Sequence, residues 1–456
     1  MSTKQKNTEI LYQFEDKPSF VTVFGVSFNY IIKFIPLSVS LPFLIAQLSG
    51  LSYQQALNLI SMSLFASAIS SLLQATKKIG GPGILAPSNY STPFFAATLA
   101  AVKIGGVSLV CTMTILAGVF QIVLTPLLHK FKIIFTKHFA GFILLMMGVW
   151  LGSLGVKEFF QPDQLGQLIL HANFSVVQAA SSTVNGKLIL VGFFTLGLMC
   201  AFRIWSPFRY RLYCLLIPML IGWGVSWFWG LIPQAILQQI QQTPWFLVPH
   251  FLMPTWSFNF AFLLSFLLAG LLMTFSVFAL CTAVLEASEE KSQEINMKLV
   301  RRSNFMTGVG IIISGFLGAA AQAMEPGSIA ATLLTGALSK RIAYCYALLL
   351  CLLAFCPHLF SYLLSIPAAV NGAAVLFLSA GLFLSGLRLL DIAKMNEGQA
   401  LSFSFALLIG LISVVTPEIY QQNYNEALYF TEPAFVYGLV AFIIFSIIFT
   451  LKMRKK

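Results

Sequence analysis

The chain has 456 residues, of which 58% are hydrophobic and only 9% charged, and its mean hydropathy is +0.86. No single water-soluble core hides that much apolar surface, so a soluble enzyme or binding domain is excluded and lipid must face the remainder. The formal charge of +12 would suit a nucleic-acid binder, but the placement of the basic residues along the chain argues against that use.

Residues 1–19 are polar and carry Glu9, Glu15, Asp16 and Lys17. They lack the basic, then apolar, then small-residue order of a cleaved signal peptide and read as a cytoplasmic tail. Apolar runs follow to the end of the chain, among them Ile60–Leu73, Gly141–Leu154, Leu188–Cys200, Phe260–Leu285, Tyr344–Phe360 and Val436–Leu451. Several of these suffice to cross a hydrocarbon layer of roughly 30 Å. The pattern predicts an all-α polytopic membrane protein of about fourteen transmembrane helices, seven within residues 20–232 and seven within 259–452.

With the N-terminus inside, every basic residue except Lys33, Lys103, Lys157 and Lys187 falls on the inner side, as the positive-inside rule requires. Lys33 lies within the first span, and the other three fall outside. One missed crossing would scatter these charges to both faces, so the tally supports an even span count and two cytoplasmic termini. The basic excess thus orients the protein in its membrane and implies no nucleic-acid partner.

The third span of each half reads poorly as a helix. Ile79–Phe95 (IGGPGILAPSNYSTPFF) and Gly318–Gly336 (GAAAQAMEPGSIAATLLTG) are dense in Gly, Pro and Ser. Such segments leave backbone groups unpaired, which a membrane tolerates only where they line a cavity or are buried in protein. Matching interruptions in two halves point to an inverted-repeat transporter with its substrate at midplane; two kinked packing helices are the plainer alternative.

Lys33, Glu286 and Glu325 sit in otherwise apolar segments and are expected to face inward. A carboxylate at Glu286 suits two N–H donors of a heterocycle or a shuttled proton. It equally suits the cytoplasmic end of a helix beside Glu289, Glu290 and Lys291. The seven cysteines fall in or near apolar runs without metal-site or disulfide spacing, the five histidines are scattered, and no nucleophile–base set emerges. The reading is therefore of a non-enzyme without cofactor.

The opening ILYQFEDKPSFVTVFGVSFNYIIKFIPLSVSLPFLIAQLSGLS, the continuation LISMSLFASAISSLLQ, PWFLVP at Pro244–Pro249, LEASEE, and TGALSKR at Thr335–Arg341 together resemble the nucleobase–cation symporter family, which includes xanthine, uric acid and uracil permeases. The resemblance implies a seven-plus-seven inverted repeat with short β-strands in spans 3 and 10. It implies a core domain of spans 1–4 and 8–11, a gate domain of spans 5–7 and 12–14, and a homodimer; the short tails and minimal loops look bacterial and point to the plasma (inner) membrane. It places the substrate between the strands and the eighth helix, with Glu286 on the base, Glu290 as a partner in ion coupling, and backbone donors at Tyr90–Ser91 and Gly327–Ser328. Protons are the expected coupling ion, with Na+ second.

The chain also departs from the pattern. Gly327 and Ser328 stand where the family has Gln or Glu followed by Asn, and Asn29–Tyr30 replaces Gln–His in the first helix, with Lys33 beyond. Glu325 either substitutes for the missing side chain or pairs with Lys33. Import of a nucleobase by cation symport is the function implied. A same-fold transporter of another small organic anion and a non-coupled, channel-like protein are the alternatives.

Overall fold

A computed structural model describes residues 10–130, 135–160, 186–207, 209–250, 256–288, 295–390, 395–415, 438 and 440–444. Helices α1 (Phe20–Leu48) and α2 (Tyr53–Ala75) come first, and α2 is started by a capping box of Ser52 and Gln55. Then come strand β1 (Ser88–Tyr90), α3 (Phe95–Leu124) broken at Gly106, α4 (Lys137–Phe160), α5 (Gly186–Trp205), α6 (Leu216–Phe228) and the short α7 (Gln234–Gln242). The remainder comprises α8 (Phe260–Ala287), α9 (Met297–Phe316), strand β2 (Gln322–Met324), α10 (Pro326–Thr335), α11 (Lys340–Ala354), α12 (Pro357–Leu363), α13 (Ala368–Leu389) and α14 (Glu397–Val415).

Six of these helices are long and apolar enough to cross a membrane, and α11 with α12, bent by 110° ahead of Pro357, makes a seventh candidate. The expected fourteen is a larger number. Among the described residues, several apolar helices are short or broken, such as Leu216–Phe228 and the two interrupted segments. Large side chains such as Phe193, Phe194, Trp227, Phe228, Leu348 and Leu352 project outward from helices, which suits hydrocarbon and not water.

Both interrupted segments leave the helical path for the same reason. After α2 the chain turns through Gly80 and Gly83 at positive φ, and after α9 through Gly318, conformations that a side chain resists. The freed backbone is satisfied by strand pairing. β1 and β2 run antiparallel, with Ser88 opposite Met324, Asn89 opposite Ala323 and Tyr90 opposite Gln322, and Ser91 N–H donates to Ala321 O at 2.9 Å. All six strand residues are buried. Polar side chains seal the surroundings: Ser67 Oγ donates to Gln322 Oε1 at 2.7 Å, and Ser71 Oγ accepts from Ser88 N–H at 2.9 Å.

Two helix pairs pack backbone to backbone. On α4, Gly141, Gly148 and Gly155 recur every seven residues and meet Gly386, Ser379 and Gly372 of α13, spaced likewise in the opposite direction. A Cβ at Gly141 would lie 2.9 Å from Gly386 O, and one at Gly372 would lie 2.7 Å from Phe159 N. Similarly, Gly118 of α3 and Gly308 of α9 face each other's carbonyls. Small residues are what allow such approach where helix association lacks a hydrophobic drive. The helices α1, α2, α3 and α8–α11 with the strands pack mainly on one another, as do α4, α5, α6, α13 and α14. The two sets meet along α8 with α4 and along α10 with α13.

The N-terminal strap joins the first set. Leu11 N–H donates to Gly336 O, Leu338 N–H to Tyr12 O and Lys340 N–H to Phe14 O, and Glu15 binds Lys340 and, at 2.7 Å, Lys77. The two ammonium groups, Lys340 foremost, push the Glu15 carboxyl down to about 2. A depressed folded-state value means that the stabilisation is complete above the ordinary carboxylate range and is lost as the pH falls through it towards about 2. The side chain is 58% exposed, so solvent screens the effect and keeps it small. Hydrogen exchange is expected to show stronger protection of Leu11, Tyr12 and Leu338 amides than in Glu15→Gln near neutral pH, with the two proteins converging in acid. A difference undiminished in acid would contradict the assignment.

Candidate functional site

The two strands place two helix starts at one point. Ser91, Thr92 and Pro93 lead into α3, and Met324, Glu325 and Pro326 lead into α10. Together with Met273 and Ser276 of α8 and Met147 and Trp150 of α4, they line a cavity at the junction of the two helix sets. Its volume is about 10 Å3, roughly the space of one water, too small for a heterocycle in this conformation. Helix starts aimed at a midplane cavity supply fixed N–H donors and a positive dipole end.

Glu325 shapes this cavity. It is the N-cap of α10, with Oε2 accepting from Ser328 N–H at 2.7 Å, and Pro326 at the first helical position needs no partner for an amide hydrogen. Ser328 Oγ lies 2.7 Å from both Pro87 O and Glu325 O and has one hydrogen to share between them, which sets α10 against the approach of β1. Gly327 leaves room for the folded-back carboxylate: a Cβ there would lie 2.9 Å from Oε2 and 3.2 Å from Oε1. Gly327→Ala is therefore expected to displace the carboxylate and not the backbone. Substrate KM should rise several-fold with protein yield near wild type, because the capping hydrogen bond at stake contributes only about 1 kcal/mol. Saturation kinetics beside membrane abundance check this.

Ser91 Oγ donates to Met273 Sδ at 3.3 Å, which brings α8 against the strand end. Thr92 Oγ1 is buried without a hydrogen-bond partner, an unusual condition for an interior hydroxyl and one that a ligand atom would relieve. Tyr90 contributes buried backbone to the pair and a ring fully inside the protein. Ser91, Glu325, Gly327, Ser328 and the Tyr90 backbone are thus brought together.

Other expected residues lie elsewhere. Tyr30 hydroxyl pairs with Thr332 Oγ1 at 2.7 Å and its ring meets Tyr346 edge-on at 5.9 Å, supporting α10 from behind. Asn29 Nδ2 donates to Leu212 O at 3.3 Å, on a different side of α1. Lys33 does not pair directly with Glu325; its Nζ donates to Asn371 Oδ1 at 3.0 Å. Glu290 lies outside the described residues.

The structure places Glu286 away from this cavity. It sits at the end of α8, 36% exposed, paired with Lys137 at 2.7 Å, and ten residues beyond Ser276 it is about 15 Å along the helix from the cavity. The plainer reading, an acidic residue marking a helix end, is the one that its position fits. Ser276 and Met273 occupy the α8 face at the strands; counting back half a span from the helix end would have found them. Sequence reasoning also missed Glu158 and Asn371, which are 6% and 9% exposed. Glu158 follows Lys157 at the end of an apolar run and looked like the edge of an external loop.

Two interrupted segments, paired as strands inside a helical frame and opening on a buried cavity between two helix sets, define a multi-pass membrane transporter of small molecules. The chain belongs to the Permease family (Xan_ur_permease), whose family model matches residues 34–419; this is the nucleobase–cation symporter type. Xanthine permease XanP of Escherichia coli (strain K12) is 24% identical over 419 residues, spanning 89% of this chain and 87% of the relative. XanQ of the same strain is 22% identical, spanning 91% and 88%, and xanthine permease of Bacillus subtilis (strain 168) is 21% identical, spanning 92% of each. Among solved structures, the murine Solute Carrier 26 family member A9 anion transporter in the inward-facing state aligns with a TM-score of 0.56 at 13% identity. That alignment covers 96% of this chain and 70% of that one, a likeness of fold alone.

Proposed function

We propose that the protein imports a nucleobase of the xanthine, uric acid or uracil class across the plasma membrane by cation symport with protons, holding it between the strand pair and α8. The observation that carries this reading is the cavity itself. It offers a carboxylate acceptor at Glu325, hydroxyls at Ser91, Thr92 and Ser276, an aromatic wall at Trp150, and thioethers at Met147 and Met273. A flat, mostly apolar ring with N–H and C=O edges matches that set. The names borne by the relatives agree with it.

A second reading, carriage of a small organic anion, is favoured by Gly327–Ser328 in the family's base-reading places and by Ser276, not an acid, on α8. Glu325 opposes it, because the cavity's charge is negative while the ammonium of Lys33 is engaged by Asn371. The seven-plus-seven repeat and the core-and-gate division are supported by helix partners: α2 packs on α11 as α3 packs on α9, and α1 and α8 are of near-equal length. A homodimer and two cytoplasmic termini complete the proposed arrangement.

The test is uptake of labelled xanthine, urate, uracil and adenine by cells lacking their own permeases, with and without a proton uncoupler. Saturable accumulation of one base, abolished by uncoupler, is expected. Uptake that equilibrates without accumulating would point to a channel. No uptake of any base by protein shown to be in the membrane would favour the organic anion.

A further inference from the structure

Lys33, Asn371 and Glu158 form one hydrogen-bonded chain inside the apolar interior. Lys33 Nζ donates to Asn371 Oδ1 at 3.0 Å, and Asn371 Nδ2 donates to Glu158 Oε2 at 2.6 Å. The three side chains come from α1, α13 and α4 and are 5%, 9% and 6% exposed. The amide is aligned with both charges, its oxygen towards the ammonium and its NH2 towards the carboxylate. One ammonium thus faces one carboxylate through a neutral amide.

This chain crosses between the two helix sets, because α1 packs with α2 and α11 whereas α4 and α13 are the glycine-packed pair. On the transport reading above, on which the inference rests, the sets must shift against each other to admit substrate. Parting a carboxylate from its counter-charge in an apolar interior leaves both uncompensated, unless the carboxylate is neutralised first. A proton delivered to Glu158 Oε2 from hydronium does this: one O–H bond forms as the donor's O–H bond breaks, the negative charge that Lys33 faces across Asn371 is gone, and the bond that crosses between the sets, Lys33 Nζ to Asn371 Oδ1, can part without stranding a carboxylate. Return of the sets requires the proton to leave.

Asn371 turns its NH2 group and not its oxygen towards Glu158, so the bridge offers no oxygen ligand for a metal cation there. Of the neighbouring elements, α5 meets this end of α4 through Phe193 on Phe159, and Glu286 of α8 lies at the opposite end on Lys137. Lys33 is the charged group set towards Glu158, through Asn371. We infer that Glu158 is a proton-binding site through which movement of the two helix sets is coupled to a proton, with Asn371 as the hydrogen-bonding bridge and Lys33 as the counter-charge.

Two measurements on the full-length protein test this. Infrared difference spectra of purified protein between acid and alkaline buffer need no substrate; a titrating carboxyl stretch is expected that is lost in Glu158→Gln and shifted in Glu158→Asp. In proteoliposomes, Glu158→Gln is expected to lose accumulation driven by a proton gradient while retaining counterflow exchange of the labelled base that the wild type takes up. Survival of the infrared band in Glu158→Gln, or gradient-driven accumulation by that variant, would overturn the assignment. Should Glu158→Gln fail to reach the membrane, Glu158→Asp, which keeps the carboxyl, carries the test through its shifted titration. Absence of uptake by wild type, with the band present, would count against the transport reading and leave the proton site standing.

Discussion

Replacing Glu325 by Gln is expected to lower uptake of the transported base by ten- to a hundredfold while the protein remains in the membrane. The carboxylate lines the cavity and caps α10 at 2.7 Å. A hydrogen bond to a charged group contributes about 1.5–3 kcal/mol, which gives that range in kcat/KM. Gln keeps an acceptor oxygen for Ser328 N–H, so the helix start survives and the loss reports on the charge. Glu325→Ala removes the cap as well, adding about 1 kcal/mol of instability, and the pair of variants separates recognition from folding. By contrast, Glu286→Gln breaks an ion pair about one-third exposed that contributes at most about 1 kcal/mol, so uptake should stay within about fivefold of wild type. Initial rates normalised to membrane abundance decide the matter; a Glu286→Gln loss exceeding that of Glu325→Gln would reverse the assignment.

Gly148→Leu should be severely damaging for stability. A Cβ at Gly148 would lie 3.0 Å from Phe383 N and 3.1 Å from Ser379 O. Both are backbone atoms on a rigid helix, with no rotamer to relieve them. Overpacking of a fitted interior costs about 1–3 kcal/mol where side chains give way, and a backbone obstacle puts this substitution at or above the upper end. Loss of a monodisperse peak after detergent extraction, and a large fall in the melting midpoint, are expected. Gly197→Leu and Gly224→Leu are the controls, since nothing lies within 4 Å of a Cβ at either place; both should be close to wild type. Equal damage from all three would mean that side-chain bulk in these helices, not contact between α4 and α13, is what matters.

Glycines at seven-residue intervals were visible in the chain, yet their meaning was not. Periodicity says that a face exists and leaves open which helix it meets, and α4 and α13 are separated by more than two hundred residues. The interrupted segments were legible because Gly and Pro act on their own backbone, so the breaks in the helical path follow from local chemistry. Antiparallel pairing of β1 with β2 required the fold to bring the segments together.

Composition and apolar length by themselves determined that the chain lives in a membrane, because burying or solvating apolar surface is a bulk property that needs no coordinates. The ordered family motifs determined the class of transporter. Where each ionisable group sits, and what it meets, was decided by tertiary structure alone. Glu286, Glu325 and Glu158 each lie in or at the edge of an apolar run, yet one marks an exposed helix end, one caps α10 at the cavity, and one faces Lys33 through Asn371. A carboxylate's role is set by the charges and dipoles within a few ångströms of it, and in this fold those neighbours come from distant parts of the chain.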